Sequence, residues 1–518
     1  MPVAAGQRIN LLIHQRKPRS TRTNWTKFSS ELILNLKTNK IPGATVACLC
    51  LLCLKVSDAN SQGNTIFTAK KKRVQGELTA EKQNKHLTYL LPAMVAPENW
   101  IWWHRIQPAN KKISASLSED RKHLMIHLNK ELQNTVELEI QSQLVPESDL
   151  MFRMNQIQLI GTHNSYHIAP EPGVMKIIKT VMPGEAANIS YTHRPLPEQL
   201  DILGMRKLEL DVFHDIKGGA FASPLGATMP GLKNWKVRHP EFDTESMMSP
   251  GMKIIHFPNF DFRSNTPTLK SALSELSTWS KKNNLHLPIM ILIETKKTTA
   301  VRKGNKSGIF EMDDFRQLEK EIVEILKPEQ IITPNKVQGG YKTLNQAIRK
   351  GGWPSLGECR GKFVLALDNQ GDERINYLKL HPGLQGALLF VSSPPGQPES
   401  AFLKINDPKG NYAEIQKRVK EGYLIRTRAD SDLREGRTND YRQMNLAFSS
   451  GAQYISTDFP EKMVGFSDYS VQWPDGKVGR LNPLVEFDQR QVTLEPEKLS
   501  SQIISRRFAL KVPAEALN

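Results

Sequence analysis

Four apolar runs in the middle of this chain each end in residues that can hold a metal or move a proton. IQLIGTHNSYH (157–167) breaks off at Gly161, Thr162, His163 and Asn164. RKLELDVFHD (206–215) carries Glu209 and Asp211 towards its end. MKIIHF leads to His256, and LPIMILIETK leads to Glu294. In a parallel α/β fold the strand C-termini share one face, so these side chains converge. Such a pattern restricts the fold and the chemistry together.

The rhythm of apolar run, polar tip and amphipathic segment continues down the chain. Strands are expected at Gln156–Ile160, Met205–Asp211, Lys253–His256, Ile289–Glu294, Phe363–Leu367, Ala387–Val391, Tyr423–Arg428 and Gln453–Asp458. Thr268–Lys281 places Leu269, Ala272, Leu273 and Leu276 at the spacing of one helix face. Asp313–Leu326, Asn411–Glu421 and Leu433–Phe448 behave the same way. Strands alternating with helices predict an α/β fold, a closed (β/α)8 TIM-like barrel over residues 151–485. A doubly wound open sheet is the alternative, but no Gly-rich phosphate loop follows the first strand. The Gly- and Pro-rich stretch 212–252 is too long for a simple connection and is expected to form a lip over the site.

Before the barrel, three cysteines (Cys48, Cys50 and Cys53) lie in one apolar run, Ala44 to Leu54. Only Cys359 remains beyond it, so the barrel can hold no internal disulfide. The run is too short to span a bilayer and suits a signal-peptide core, with Ser57 and Ala59 as small residues before a cut. Residues 1–59 therefore read as a leader, and export to a periplasmic or extracellular location, with membrane association, is expected. Residues 60–85 read as a basic linker and 86–148 as a small accessory region. In that region Leu117–Val145 is expected to run as helix then strand. Trp100, Trp102 and Trp103 suit either a packed core or a membrane interface. Residues 486–518 read as a C-terminal tail. The net charge of +17 suits an anionic partner or serves only solubility, and residues 1–40 hold eight Lys or Arg against the single acid Glu31. No zinc-finger spacing or RNP-type strand is present, so an anionic membrane surface rather than nucleic acid is the expected partner. A monomer is expected.

Glu209 and Asp211 alternate on one strand and so point to the same side. With Glu294 they make a cluster of carboxylates whose mutual repulsion a divalent cation relieves. Asn164 adds a neutral amide oxygen. Oxygen-only ligands favour Ca2+, with Mg2+ second, whereas Zn2+ asks for more His or Cys. The plainer alternative is a set of salt bridges to Arg206, Lys207 and Lys296. His163 and His256, at strand tips on one face, suit phosphoester chemistry: one donates to the phosphoryl oxygen and the other protonates the leaving alkoxide. His167, His193 and His214 lie off the tips and read as bystanders or substrate contacts. Lys296, Arg426 and Arg428 are positioned to bind headgroup phosphates, or to pair with Asp430 and Asp458.

GTHNSYH, LELDVF, KIIHFPNFDFRSNTPTLKSAL, LPIMILIETK and RTRADSD with NDYRQMNLAFSSGAQYISTDFP resemble the calcium-dependent phosphoinositide-specific phospholipase C1-like proteins. These belong to the barrel superfamily of phospholipase C-like phosphodiesterases. The resemblance runs from Met151 to Leu484. It implies a (β/α)8 fold and cleavage of a membrane phospholipid by its own inositol 2-hydroxyl, which releases diacylglycerol and a cyclic inositol phosphate that water then opens. It also implies that Asn164, Glu209, Asp211 and Glu294 hold calcium and that Glu209 or Glu294 is the base. His163 would stabilise the pentacoordinate phosphorus, and His256 would protonate the leaving oxygen. In the eukaryotic signalling enzymes the second histidine follows the acidic strand closely, whereas Asp211 and His256 are far apart here. No pleckstrin, EF-hand or C2 module is read.

Two other functions compete. A glycerophosphodiester phosphodiesterase would show His-Arg-Gly after the first strand, where this chain has His163, Asn164 and Ser165. A barrel that binds headgroups without turnover would be expected to lack a histidine or a carboxylate of the set, and the full set is present.

Overall fold

The structure is a computed structural model that describes residues 148–474 and 476–485, apart from 229–242 and 297–308, together with Leu494 and Glu497. Within 81–146 and 503–511 it describes the strands as backbone. The leader expected at 1–59 and most of the linker at 60–85 lie outside the described residues. Among the described residues no helix is long and apolar enough to cross a membrane.

The accessory region is built of strands. Glu81–Gln83, His86–Pro92, His123–Asn129 and Ile113–Leu117 form a four-stranded antiparallel sheet in that order. Ile503–Lys511, Thr135–Pro146 and Trp100–Gln107 form a three-stranded one. Of the helix and strand expected over Leu117–Val145, the strand is present as Thr135–Pro146, and the strand His123–Asn129 stands in place of the expected helix. Alternation of charged and apolar residues fits a half-buried strand as well as a helix face, and here the strand period wins. The last strand shows that the expected tail returns to pair with this region. The tryptophan side chains lie outside the described residues.

The described residues of 148–485 form a mixed α/β fold with parallel sheets. Its parallel strands are β1 Ile157–Thr162, β2 Lys207–Phe213, β3 Ile289–Thr295, β4 Phe363–Leu367, β5 Leu389–Val391, β6 Phe402–Lys404, β7 Leu424–Arg428 and β8 Tyr454–Thr457. One sheet runs β5-β4-β3-β2 and the other β6-β7-β8-β1. Each has a short antiparallel strand at one edge, Lys253–Ile254 on β2 and Gly479–Leu481 on β1. Ser392 bridges Phe402 in parallel between the sheets, and at the other seam the Arg206 N–H donates to the Ile160 carbonyl at 2.7 Å. β1 and β2 approach so closely that a methyl group at Gly161 would lie 2.1 Å from the Lys207 carbonyl oxygen.

The strands form where both faces are covered, which is why β3 and β4 read as unbroken apolar runs. Helix Leu269–Lys282 starts at Thr268, whose hydroxyl accepts the Ser271 N–H at 3.0 Å. It buries Leu269, Ala272, Leu273 and Leu276, and the neighbouring Met312–Ile325 buries Phe315, Leu318 and Ile322. Each such Leu or Ile contributes about 1.5–3 kcal/mol. The expected helix Leu433–Phe448 is two helices, Arg434–Thr438 and Arg442–Ser449, broken where Asn439 takes a φ of 55°. At the N-terminal end of β2, buried Arg206 pairs with Glu497, its Nε–H donating at 2.7 Å.

One expected strand is misassigned. Lys253–His256 supplies only the antiparallel edge Lys253–Ile254. The parallel position belongs to β6, three residues long and flanked by Pro-rich sequence that gave no strand signal. Of the lip expected over 212–252, residues 229–242 lie outside the described residues, and short helices Leu225–Thr228 and Thr244–Met248 flank them.

Candidate active site

β2 alternates Leu208, Leu210 and Val212 into the core with Lys207, Glu209 and Asp211 on its other face. In the parallel register Glu294 of β3 stands beside Asp211. Ligand atoms of Glu209, Asp211 and Glu294 lie within 4.8 Å of one another. Asn164 follows β1 with a φ of 43°, a turn that its short polar side chain tolerates, and is buried.

The three carboxylates are not equivalent. Burial pushes Glu209 up, but Lys207, Arg426 and His163 outweigh it and hold its carboxyl well below the usual range. Its Oε2 accepts from Lys207 Nζ and, at 2.8 Å, from Arg426 Nη2. Burial raises Asp211 to about 6, with Lys296 opposing and Glu209 adding to the rise. Glu294 is raised to about 7 by burial and by the Asp211 charge, again against Lys296. Lys296 Nζ lies 2.9 Å from Glu294 Oε2 and 3.2 Å from Asp211 Oδ2. Beneath them burial draws Lys207 down to about 7 despite Glu209.

This donor set suits calcium. It is all oxygen, and Asn164 Oδ1 and Asp211 Oδ1 are buried without a hydrogen bond among the described residues, while Asp211 Oδ2 faces the Lys296 ammonium. Orphaned buried acceptors are costly unless a partner meets them.

His163 borders the cluster, and both it and His256 are backed by an aspartate. His163 Nδ1–H donates to Asp458 Oδ1 at 2.7 Å, and its Nε2 lies 3.6 Å from Glu209 Oε1. Arg428 donates to the other Asp458 oxygen at 3.0 Å. Burial first, then the Arg428 charge, lowers His163 below its ordinary value, although Asp458 and Glu209 oppose. His256 Nδ1 faces Asp261 Oδ2 at 2.7 Å, and its ring meets Phe257 edge-on at 4.3 Å. Reciprocal backbone hydrogen bonds between Phe257 and Asp261 fold Asp261 back beside His256. Burial would raise Asp261, yet His167 and His256 together hold it at about 2.

The remaining candidates are placed as follows. Arg426 is fully buried and donates to Glu209, Ser456 and Asn406, so as placed it braces the cluster instead of facing a headgroup. Arg428 pairs with Asp458, the alternative open to it in the sequence. His193 donates from Nε2 to the His163 carbonyl at 2.9 Å, and burial drives it down to about 3, a neutral strut. His214 pairs with Asp314. Sequence reasoning passed over Asp261, although its place five residues after His256 in a Pro-containing turn was a usable signal.

The arrangement is that of a metal-assisted phosphodiesterase: oxygen ligands at strand tips, with two aspartate-backed histidines in the same fold. A family model for Ca2+-dependent phosphoinositide phospholipase C matches residues 152–483, and the chain belongs to that family. The family requires calcium, and its phospholipase C activity makes its members phosphodiesterases. Among curated proteins none matches this chain. Solved structures similar to it include a calcium-dependent phosphoinositol-specific phospholipase C from Pseudomonas sp in its apo form (15% identity, 65% of this chain and 98% of that one, TM-score 0.40). The myoinositol complex of that protein gives 15% identity, the same coverage and a TM-score of 0.41. A Ca2+-dependent phosphatidylinositol-specific phospholipase C from Streptomyces antibioticus gives 16% identity, 60% of this chain, 95% of that one and a TM-score of 0.39.

Proposed function

We propose that this chain is a calcium-dependent phosphoric diester hydrolase acting in lipid metabolism, which cleaves phosphatidylinositol-type lipids to diacylglycerol and a cyclic inositol phosphate. The eight parallel strands are proposed to close into one barrel, a reading supported by the Ser392–Phe402 and Arg206–Ile160 links at the two seams. The observation that carries the function is the pair of orphaned oxygens, Asn164 Oδ1 and Asp211 Oδ1, in a fold that also holds two aspartate-backed histidines, His163 and His256.

Asn164, Glu209, Asp211 and Glu294 would hold the ion. When bound, calcium supplies Lewis-acid stabilisation of the charge that builds on phosphoryl and attacking oxygens. Glu294 is the better base for the inositol 2-hydroxyl, because its side chain is 28% exposed while Glu209 is 3% exposed and tied to Lys207 and Arg426. Asp458 orients His163, which donates to the phosphoryl oxygen as negative charge grows. Asp261 holds Nδ1 of His256 and leaves Nε2 to protonate the departing glycerol oxygen. Lys296 is the cation proposed to bind the headgroup phosphate, whereas Arg428 steadies Asp458 and Arg426 positions Glu209. The protein is proposed to act as a monomer on an anionic membrane surface after export, with a mature N-terminus near Asn60 that sequencing of the native protein would reveal.

Phosphorus NMR of products from phosphatidylinositol, a glycosylated inositol lipid and glycerophosphoinositol tests the assignment. A cyclic inositol phosphate from at least the first is expected. Hydrolysis of glycerophosphoinositol alone would favour a glycerophosphodiesterase instead.

A further inference from the structure

The mechanism above leaves His167 unused, although this ring is fully buried and tightly held. Its Nδ1 lies 3.0 Å from the Tyr191 carbonyl oxygen, and its Nε2 lies 2.9 Å from both oxygens of Asp261. A carbonyl oxygen only accepts, so Nδ1 carries a hydrogen. Stacking on the Tyr191 ring, with centroids 4.4 Å apart, fixes the plane of the imidazole. Asp261 Oδ2 faces His256 Nδ1 as well, and the two imidazoles meet edge to face at 5.6 Å. One carboxylate therefore bridges a fully buried ring and the partly exposed ring of His256.

Filling space would not require this. An aliphatic side chain would pack in the same volume without two polar nitrogens to satisfy, and burying those nitrogens is tolerable only because both are bonded. A carboxylate with a single partner can turn about its Cβ–Cγ bond, whereas one gripped from a second side keeps its orientation.

We propose that His167 is a positioning residue for His256: by gripping Asp261 it fixes that carboxylate, which keeps a hydrogen on Nδ1 of His256 and aims Nε2 at the departing alcohol oxygen. The inference rests on His256 being the acid, as proposed above. In the step concerned, the Nε2–H bond breaks and its proton passes to the glycerol oxygen as the phosphorus–oxygen bond to that oxygen breaks. The Nδ1–H remains on Asp261, and His256 ends as the neutral Nδ1–H tautomer.

Two substitutions separate the contacts of His167. His167→Gln places its amide nitrogen near the position of Nε2 and keeps a donor to Asp261. His167→Asn places its amide nitrogen near Nδ1, serves Tyr191 and cannot reach Asp261. Turnover is measured on phosphatidylinositol, which needs a protonated leaving group, and on a nitrophenyl inositol phosphate, which does not. His167→Asn should lose about tenfold or more on the lipid and less than about threefold on the nitrophenyl ester. His167→Gln should stay within about threefold of the parent on both. Nitrogen-15 NMR of labelled histidine, at a pH where the His256 ring is neutral, should show the Nδ1–H tautomer in the parent and His167→Gln, and a tautomer mixture in His167→Asn. His256→Ala is the control. If His256→Ala is selective for the lipid and His167→Asn is impaired equally on both substrates, or keeps the His256 tautomer, the positioning role is overturned alone. If His256→Ala is itself unselective, the acid assignment fails and the positioning role falls with it. Should His167→Asn fail to fold, a folded His167→Gln that loses lipid turnover overturns the proposal, and one that retains it supports it.

Discussion

Arg426 on β7 donates Nη2–H to Glu209 Oε2 on β2 at 2.8 Å, with both side chains buried. The two lie on different sheets, so this ion pair joins the sheets through the middle of the molecule. It also directs Glu209, because Oε2 is shared between Arg426 and Lys207 while Oε1 faces His163.

Removing one partner of such a pair leaves a buried charge uncompensated. Arg426→Ala should therefore destabilise the fold by about 3–5 kcal/mol, read by urea denaturation. Arg426→Lys keeps the charge but loses the fork that reaches Glu209, Ser456 and Asn406 together, so it should recover only part of that. Glu209→Gln should cost stability by the same argument, and its folded fraction should turn over at least about a hundredfold more slowly, since metal stabilisation of a phosphoryl transition state is worth several kcal/mol. A fully active Glu209→Gln enzyme would remove Glu209 from the site.

The Asp458–His163 pair gives a contrasting signature. Asp458→Asn disturbs the tautomer and aim of a histidine assigned to the phosphoryl group, where charge builds whatever the leaving alcohol. Turnover of both phosphatidylinositol and a nitrophenyl inositol phosphate should fall about a hundredfold or more. Loss confined to the lipid would transfer the acid role to His163.

Arg206 and Glu497 supply a pH dependence of stability. Burial would raise Glu497, but the Arg206 charge and hydrogen bonds outweigh it and place its folded pKa below the unfolded value. With a depressed folded pKa, the carboxylate's contribution is complete above the unfolded value, near 4.3, and is lost as pH falls through the folded one. Melting temperature should decline from about pH 5 downward, and Glu497→Gln should be less stable at neutral pH with a flatter acid limb. Parallel curves for the two proteins would show that the pair carries none of the acid sensitivity.

Much of the architecture is legible because buried parallel strands are written as unbroken apolar runs. β3 and β4 fall where the sequence places them, and β2 and β8 differ by a residue or two at their ends. Strand tips are also legible: the period of two puts Glu209 and Asp211 on one face, and register brings Glu294 alongside. What the sequence hides depends on tertiary contact. β6 is too short to show a period. Lys253–His256 has strand composition, yet an antiparallel pairing with Val212 and Phe213 sets its place. Asp458 backs His163 from a strand almost three hundred positions away, a contact no local pattern carries. Arg426 reads as a strand-tip cation for a headgroup phosphate or for Asp430 and Asp458, but Glu209, Ser456 and Asn406 converge on it in the interior.

The central claim is that this constellation cleaves a phosphodiester only with calcium among Asn164, Glu209, Asp211 and Glu294. The most direct measurement is turnover of phosphatidylinositol by the full chain in excess chelator, followed by back-titration with calcium or magnesium. Activity should be abolished by the chelator and restored by calcium far better than by magnesium, because these flexible all-oxygen ligands suit the larger ion. Full turnover in excess chelator would contradict the account.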